Sequence, residues 1–409
     1  MINKNIIVGQ SGGPTAVING SLYGVISEGL AKKDRVGEIY GMINGIEGFL
    51  EGNVMDMATL KTDGELELLR TTPGSYLGSC RYKLPDNLDD AVYPKLFEKF
   101  AEYKIGYFFY IGGNDSMDTV SKLSKYARTI DSPIRFIGVP KTIDNDLVET
   151  DHTPGFGSAA KYVASTVREV SLDAAVYSNK RTVTIVEIMG RHAGWLTAAS
   201  IMARKFKGDN PVLVYLPETA FNLDDFMSRV TDALETTPNL VVCISEGIKD
   251  EKGTLICEYG SSDGMVDSFG HKMLTGSARY LEGVIKQKLG LKVRSIEFSL
   301  CQRCSSAYLS KVDLEEAVTA GRLGVEAALN GETGKMIAFD RSSKSPYEMT
   351  CVIKDVDLIC NKEKPVPTEW IIENGTDISD AFIEYALPLI QGDVEIPKKD
   401  GLPQFAYRK

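Results

Sequence analysis

Tyr107-Phe108-Phe109-Tyr110-Ile111-Gly112-Gly113-Asn114-Asp115-Ser116 and, further along, Ile134-Arg135-Phe136-Ile137-Gly138-Val139-Pro140-Lys141-Thr142-Ile143-Asp144-Asn145-Asp146 decide how the 409-residue chain reads. Each opens on an apolar run with the length and composition of a strand buried on both faces. Each then breaks into a loop. In an open α/β sheet, loops at the carboxyl ends of strands converge on the ligand crevice. The first loop brings glycine backbone, which can approach a phosphate. The second brings two carboxylates and a lysine. Together they outline a phosphoryl-transfer site.

The same rhythm extends outward. Asn5 to Gly9 reads as a strand, Gln10 to Thr15 as a loop, Ala16 to about Lys33 as a helix and Glu38 to Met42 as a strand. A helix starts at Asp115, whose charge suits a helix N-terminus, and runs to about Tyr126. After Gly155-Phe156-Gly157-Ser158 comes a long helix to about Ser178. A second series follows: strands at Thr182–Ile188, Val212–Leu216, Leu240–Ser245 and Leu291–Phe298, and helices at Ala193–Arg204 and Thr275–Leu289. Strands alternating with helices predict an α/β fold with parallel, doubly wound sheets. The length predicts two domains, with a switch near residues 147–158. The last fifty or so residues, rich in proline and charge, read as irregular structure wrapping the surface.

Composition narrows the function. The chain is 43% hydrophobic and 25% charged, with net charge −10, which is ordinary for a soluble enzyme. No block of Lys and Arg stands out, so nucleic acid is not an expected partner. No apolar run approaches the roughly 20 residues that span a bilayer. With no leader-like N-terminus, no membrane is expected and the location reads as cytoplasmic. Seven cysteines, an odd number scattered through the chain, argue for a reducing compartment over a disulfide framework. Cys301-Gln302-Arg303-Cys304 is a lone C-x-x-C, without the second pair or histidines that a zinc site needs.

Further candidate residues sit at predicted strand ends. Ser11-Gly12-Gly13-Pro14 joins the first strand to a helix, where backbone amides and the helix terminus favour an anion; a plain tight turn is the alternative. Gly74-Ser75-Tyr76-Leu77-Gly78-Ser79-Cys80-Arg81 ends in an arginine that matches phosphate oxygens, or lies solvated on the surface. Asp144 and Asp146 suit a general base and a magnesium ligand; an Asx turn is the bland reading. Met189-Gly190-Arg191-His192 follows another strand. Ser245-Glu246-Gly247 ends a further one, where Glu246 can bond sugar hydroxyls. Arg294 and Arg303 flank an apolar stretch and need anionic partners, a sugar phosphate or a structural carboxylate.

In this order these segments resemble the 6-phosphofructokinase family over most of residues 1–330. The resemblance implies two similar Rossmann-like domains with mostly parallel sheets and the active site in the cleft between them. It implies a donor-binding domain of 1–150 plus about 304–360, and a sugar-phosphate domain of 151–303 plus about 361–409. It implies Mg²⁺-assisted phosphoryl transfer to the 1-hydroxyl of fructose 6-phosphate, with Asp144 as base and Asp146 at the metal. Thr142, Met189, Gly190, Arg191, Glu246, Arg294 and Arg303 would hold the sugar phosphate. Gly12, Gly13, Arg81, Gly113, Asn114, Asp115, Ser116 and Lys141 would hold the donor, with Lys141 and Arg191 also stabilising the reacting charge. A homodimer or homotetramer follows from family sites that borrow a neighbour's arginine.

The donor loops depart from the family's ATP-using pattern. Asp115 and Lys141 stand where those members carry glycine, and Pro14 where they commonly carry Asp. Two like charges about 4 Å apart cost on the order of 4 kcal/mol at an effective dielectric near 20, so Asp115 repels a nucleotide's α-phosphate. Lys141 can instead grip a compact donor. The pattern is similar to the family's pyrophosphate-dependent branch. An ATP-dependent enzyme and a non-catalytic regulatory subunit are the alternatives. A lipid or NAD kinase would leave the Met-Gly-Arg and Gln-Arg segments unexplained. Three positions break the pattern. Asn114 replaces an Asp often assigned to Mg²⁺ and is, with Asp146, the candidate metal ligand, although a weaker, neutral one; Leu300 replaces a His or Tyr, and Arg181 is displaced by one residue from the expected arginine.

Overall fold

The computed structural model describes residues 4–61, 64–176, 180–260 and 276–408; Ser178 and Thr275, two of the expected helix ends, lie outside these. Eleven strands build two sheets: β1 (Lys4–Gln10), β2 (Val36–Met42), β3 (Val54–Asp56), β4 (Ile105–Gly112), β5 (Arg135–Pro140), β6 (Thr182–Ile188), β7 (Leu213–Tyr215), β8 (Asn239–Ser245), β9 (Lys292–Glu297), β10 (Lys335–Ser343) and β11 (Glu348–Asp355). The first sheet runs β11-β10-β5-β4-β1-β2-β3, and the second β7-β8-β6-β9. The second sheet is parallel throughout. The first is parallel except at its edges, where β3 and β11 run antiparallel to their neighbours.

Continuous apolar strands arise because both faces are covered. In the first sheet Ile6, Val8, Phe109, Ile111, Ile137 and Val139 pack on one side, under the helices Ile18–Ala31 and Lys311–Leu329. Ile7, Phe108, Tyr110 and Phe136 pack on the other, under Val92–Glu102 and Asn114–Thr129. In the second sheet Val186, Ile188, Val241 and Cys243 face the long helix Phe156–Ala174, while Val183, Ile185, Val242 and Ile244 face Leu223–Thr236 and Ser277–Leu289. No helix among the described residues is long and apolar enough to cross a membrane.

Two expectations change. The segment 193–204 is not one helix: a short α-helix Trp195–Ala198 tightens into a 3₁₀ turn Ala199–Ala203. The last fifty residues do not merely wrap the surface, since Val366, Ile378, Phe382, Ala386 and Leu389 are buried in one core with Phe156 and Trp195. Their apolar residues are spread over short turns, too few per element to show a period.

The chain beyond residue 303 returns to the first sheet. β10 joins β5 in parallel, and the Lys311–Leu329 helix lies against Ile18–Ala31 almost backbone to backbone. A Cβ on Gly24 would stand 2.2 Å from the Val318 carbonyl oxygen, and one on Gly321 would stand 2.2 Å from that of Ser21. Such closeness excludes any side chain. Gly24→Ala is therefore expected to destabilise the protein by about 2 kcal/mol, measured as a lower thermal unfolding midpoint; an unchanged midpoint would show that the helices separate freely.

Candidate active site

The carboxyl ends of β1, β4, β5, β6 and β8 deliver five loops to one region. Ser11 N–H donates to the Ile111 carbonyl at 2.9 Å, and Lys141 N–H to that of Gly112 at 2.9 Å, so the loops after β1, β4 and β5 are bonded side by side. Gly12, at φ +77°, makes the turn, and the Ser79 hydroxyl donates to its carbonyl at 2.7 Å. The Lys141 ammonium donates to the Gly13 carbonyl at 2.7 Å and sits 3.3 Å from where a Gly12 Cβ would be. The Arg303 guanidinium lies 3.2 Å from the corresponding point on Gly13. Gly12 is held to glycine by its positive φ, and a side chain at either position would crowd the two cations.

Lys141 is only 3% exposed. Burial pushes its ammonium down to about 8; Asp144 and Asp146 oppose the shift, and Arg303 and Arg81 add to it. Burial also lowers Arg303, with Arg81 next in effect. Three cations crowd around one glycine loop, an arrangement completed by a multiply charged anion.

The acidic half faces them. Asp144 N–H donates to the Thr142 hydroxyl oxygen at 3.1 Å, and that hydroxyl reaches the Asp144 carboxylate at 3.5 Å. Burial raises Asp144 above the usual carboxylate range, while Lys141, Thr142, Arg191 and Arg303 pull it back. Burial, then the charge of Asp144, pushes Asp146 up to about 7. The same two causes push Glu246 up to about 8. Gly190 N–H donates to Glu246 at 3.5 Å, and Met189 N–H to the Gln302 side-chain oxygen at 3.2 Å. Asp144, Lys141, Thr142, Glu246, Arg191, Arg303 and Arg81 therefore share one electrostatic neighbourhood, with Met189 and Gly190 on its border.

Other expected residues stand differently. Ser116 is buried against Gly112, whose Cβ would lie 1.9 Å from its hydroxyl oxygen. Asp115 is exposed in the first turn of the helix that Gly113 precedes. The Asn114 amide bonds the main chain of Asn361 and Lys362 with its oxygen and nitrogen respectively, so it ties down the loop. Arg294 lies mid-strand on β9, 4.0 Å from Asp173. That is near the far end of the helix Phe156–Ala174, away from the cleft of its own chain. Arg181 pairs with Glu235 at 3.1 Å on the surface, and Leu300 is exposed.

Sequence reasoning missed the support behind the 142–146 loop. Lys364 N–H donates to the Asp146 carbonyl at 2.7 Å, and its ammonium donates to the Thr150 and Asp151 carbonyls at 3.0 and 2.8 Å. Asn145, at φ +54°, donates to the Tyr385 hydroxyl at 2.8 Å. The Glu218 carboxylate accepts from Gly194 and Val366 N–H at 2.8 and 2.9 Å. These partners lie far apart in sequence, and no local pattern marks them.

The chemistry suits a hard divalent cation. Asp144 and Asp146 are buried oxygen donors, the charge of Asp144 raising the proton affinity of Asp146, but no group of three or more His, Cys, Asp or Glu among the described residues could cage an ion. One or two carboxylates, with water and phosphate oxygens completing the shell, is how magnesium is commonly held.

The family profile described as phosphofructokinase matches residues 5–328, and the chain belongs to that family. It is 41% identical over 408 residues to a pyrophosphate–fructose 6-phosphate 1-phosphotransferase of Halomonas elongata, covering 99% of this chain and 96% of the relative. It is 40% identical to the protein of that name from Xanthomonas campestris, covering 100% and 97%. A crystal structure of a pyrophosphate-dependent phosphofructokinase from Nitrosospira multiformis superposes with a TM-score of 0.89 at 37% identity, covering 99% of this chain and 96% of that one.

The buried ammonium makes the site's anion affinity depend on pH. Lys141 is charged below its folded value of about 8 and neutral above it, so kcat/KM for a phosphorylated substrate falls as pH rises through that range. A pH profile of wild type and Lys141→Met checks this: the variant loses the part of the alkaline fall that Lys141 supplies and keeps only what Glu246, pushed up to about 8, contributes.

Proposed function

We propose that this enzyme transfers a phosphoryl group reversibly from pyrophosphate to the 1-hydroxyl of fructose 6-phosphate, giving fructose 1,6-bisphosphate and phosphate. One observation carries the choice of donor. The Lys141 ammonium occupies the space over the glycine loop, bonded to Gly13, which favours a compact, highly charged donor over a nucleotide. Asp115 adds negative charge at the mouth of the same loop pair. The named relatives at 40 and 41% identity support this reading.

Asp144 accepts the proton of the 1-hydroxyl as its oxygen attacks phosphorus in line. Its raised proton affinity suits a base working near neutral pH. Lys141, Arg81 and the amides of residues 12–13 and 112–113 balance charge on the transferred and leaving oxygens. Arg303 and Arg191 hold the sugar phosphate with Thr142, Met189 and Gly190. Glu246, with its carboxyl held near 8 by burial, can both donate to and accept from sugar hydroxyls. A divalent cation, taken as Mg²⁺, would lie on Asp146 and shield the phosphate oxygens. Asn114 secures the loop beside it.

The lobe of 1–150 plus about 304–360 takes the donor, in keeping with β10 and β11 completing the first sheet. The lobe of 151–303 plus about 361–409 takes the sugar phosphate, except that the chain's end returns to the first sheet, where Ala406 is buried and its N–H donates to the Thr72 hydroxyl oxygen. Arg294, directed away from its own cleft, would serve the site of a second copy, which makes the working enzyme a homo-oligomer.

Assaying pyrophosphate and ATP side by side with fructose 6-phosphate tests the donor; turnover with ATP alone would overturn it. Asp144→Ser is expected to lower kcat by about three orders of magnitude or more with little change in KM for fructose 6-phosphate; retention of a tenth of wild-type turnover would remove Asp144 as base. Asp115→Gly with Lys141→Gly should gain ATP use and lose pyrophosphate use.

A further inference from the structure

Of the seven cysteines, Cys301 and Cys304 alone are exposed; the other five are buried or half-buried. They close one helical turn, Cys301–Cys304, that begins and ends without a side-chain cap. Residues three apart in a helix have Cα atoms about 5 Å apart, inside the roughly 4.4–6.8 Å window of a disulfide. The Cys304 thiol already folds back over the turn, 3.9 Å from the Cys301 carbonyl oxygen. Burial foremost and then Cys301 raise the Cys304 thiol, while Arg303 between them lowers it.

The two residues inside the pair connect the halves of the active site. Gln302 accepts from Met189 N–H at 3.2 Å, after β6, and donates to the Ser299 carbonyl at 3.0 Å. Arg303 reaches the Gly13 loop, after β1. Any change in the turn moves both.

We infer that Cys301 and Cys304 form a dithiol oxidation site that sets fructose 6-phosphate affinity by moving Arg303; the kinetic part rests on the function proposed above. The co-reactant is a small-molecule disulfide. The Cys301 thiolate attacks one of its sulfurs, forming a mixed disulfide and expelling one thiolate. The Cys304 thiolate then attacks the Cys301 sulfur, forming the internal S–S bond and expelling the second. Two protein thiols are oxidised and one disulfide is reduced to two thiols, with the two cysteine protons passing to the released thiolates. Exposed, closely spaced pairs are the usual form of redox-responsive cysteines in a reducing compartment.

The test equilibrates the full-length enzyme with oxidised or reduced glutathione, counts thiols by alkylation and mass spectrometry, and measures kinetics in each state. The expected result is loss of two thiols at 301 and 304 on oxidation. KM for fructose 6-phosphate rises about tenfold, as for a misplaced charge-assisted bond to phosphate, and dithiothreitol reverses the effect. Cys301→Ser and Cys304→Ser should each match reduced wild type and lose the response. Failure of the internal bond to form, its formation without a change in KM, or a response that survives either serine variant would each overturn the inference. Absence of pyrophosphate-dependent turnover in the reduced enzyme would instead overturn the function, leaving the thiol count to decide the oxidation site.

Discussion

The buried charge of Lys141 is the constraint around which the active region is arranged. An ammonium taken out of water needs compensation, and the fold supplies it in three ways. The Gly13 carbonyl accepts its hydrogen bond, Asp144 and Asp146 stand within electrostatic reach, and the main chain of residue 141 is pinned to Gly112. Arg303 and Arg81 work against it. The balance is incomplete in the protein alone, and a bound anion with several charges restores it. Glycines at 12 and 13, a lysine instead of a third glycine at 141, and carboxylates at 144 and 146 are thus one electrostatic unit.

The same balance explains the acidic side. Asp144, Asp146 and Glu246 are all pushed toward protonation by burial, and the charge of Asp144 adds to the shift of the other two. Held together in the absence of substrate, they are poised to take up protons or a cation. A base that holds a proton more tightly than an exposed carboxylate accepts one from an alcohol more readily. Placing such groups opposite a cluster of cations yields a crevice preorganised for charge that moves during the reaction.

Much of this was legible in the sequence because the chemistry lies on short loops directly after apolar runs. The strands at 105–112 and 135–140 announce themselves by composition, and so place Gly113, Lys141 and Asp144 at carboxyl ends. The class of fold, the neighbourhood of Asp144, Lys141, Glu246 and Arg303, and the tie to a known family all followed from that. Residues placed by long-range packing were not legible. Lys364, Tyr385 and Glu218 support the active loops through hydrogen bonds from distant segments, to the Asp146 carbonyl, the Asn145 amide and Gly194 N–H respectively. The position of Arg294 depends on which stretch of its strand faces the end of a neighbouring helix. The buried C-terminal residues escaped notice because their elements are too short to display a period.

The return of the chain to its first sheet has a consequence for how the protein is made. β5 is laid down early, yet its parallel neighbour β10 lies beyond the whole second sheet in sequence. During synthesis, the hydrogen-bonding edge of β5 stays open while the intervening residues leave the ribosome. The glycine-faced surface of the first helix waits equally long for its partner. An exposed edge of this kind pairs readily with foreign strands, so the nascent amino-terminal half is the stage at which a chaperone has most to shield.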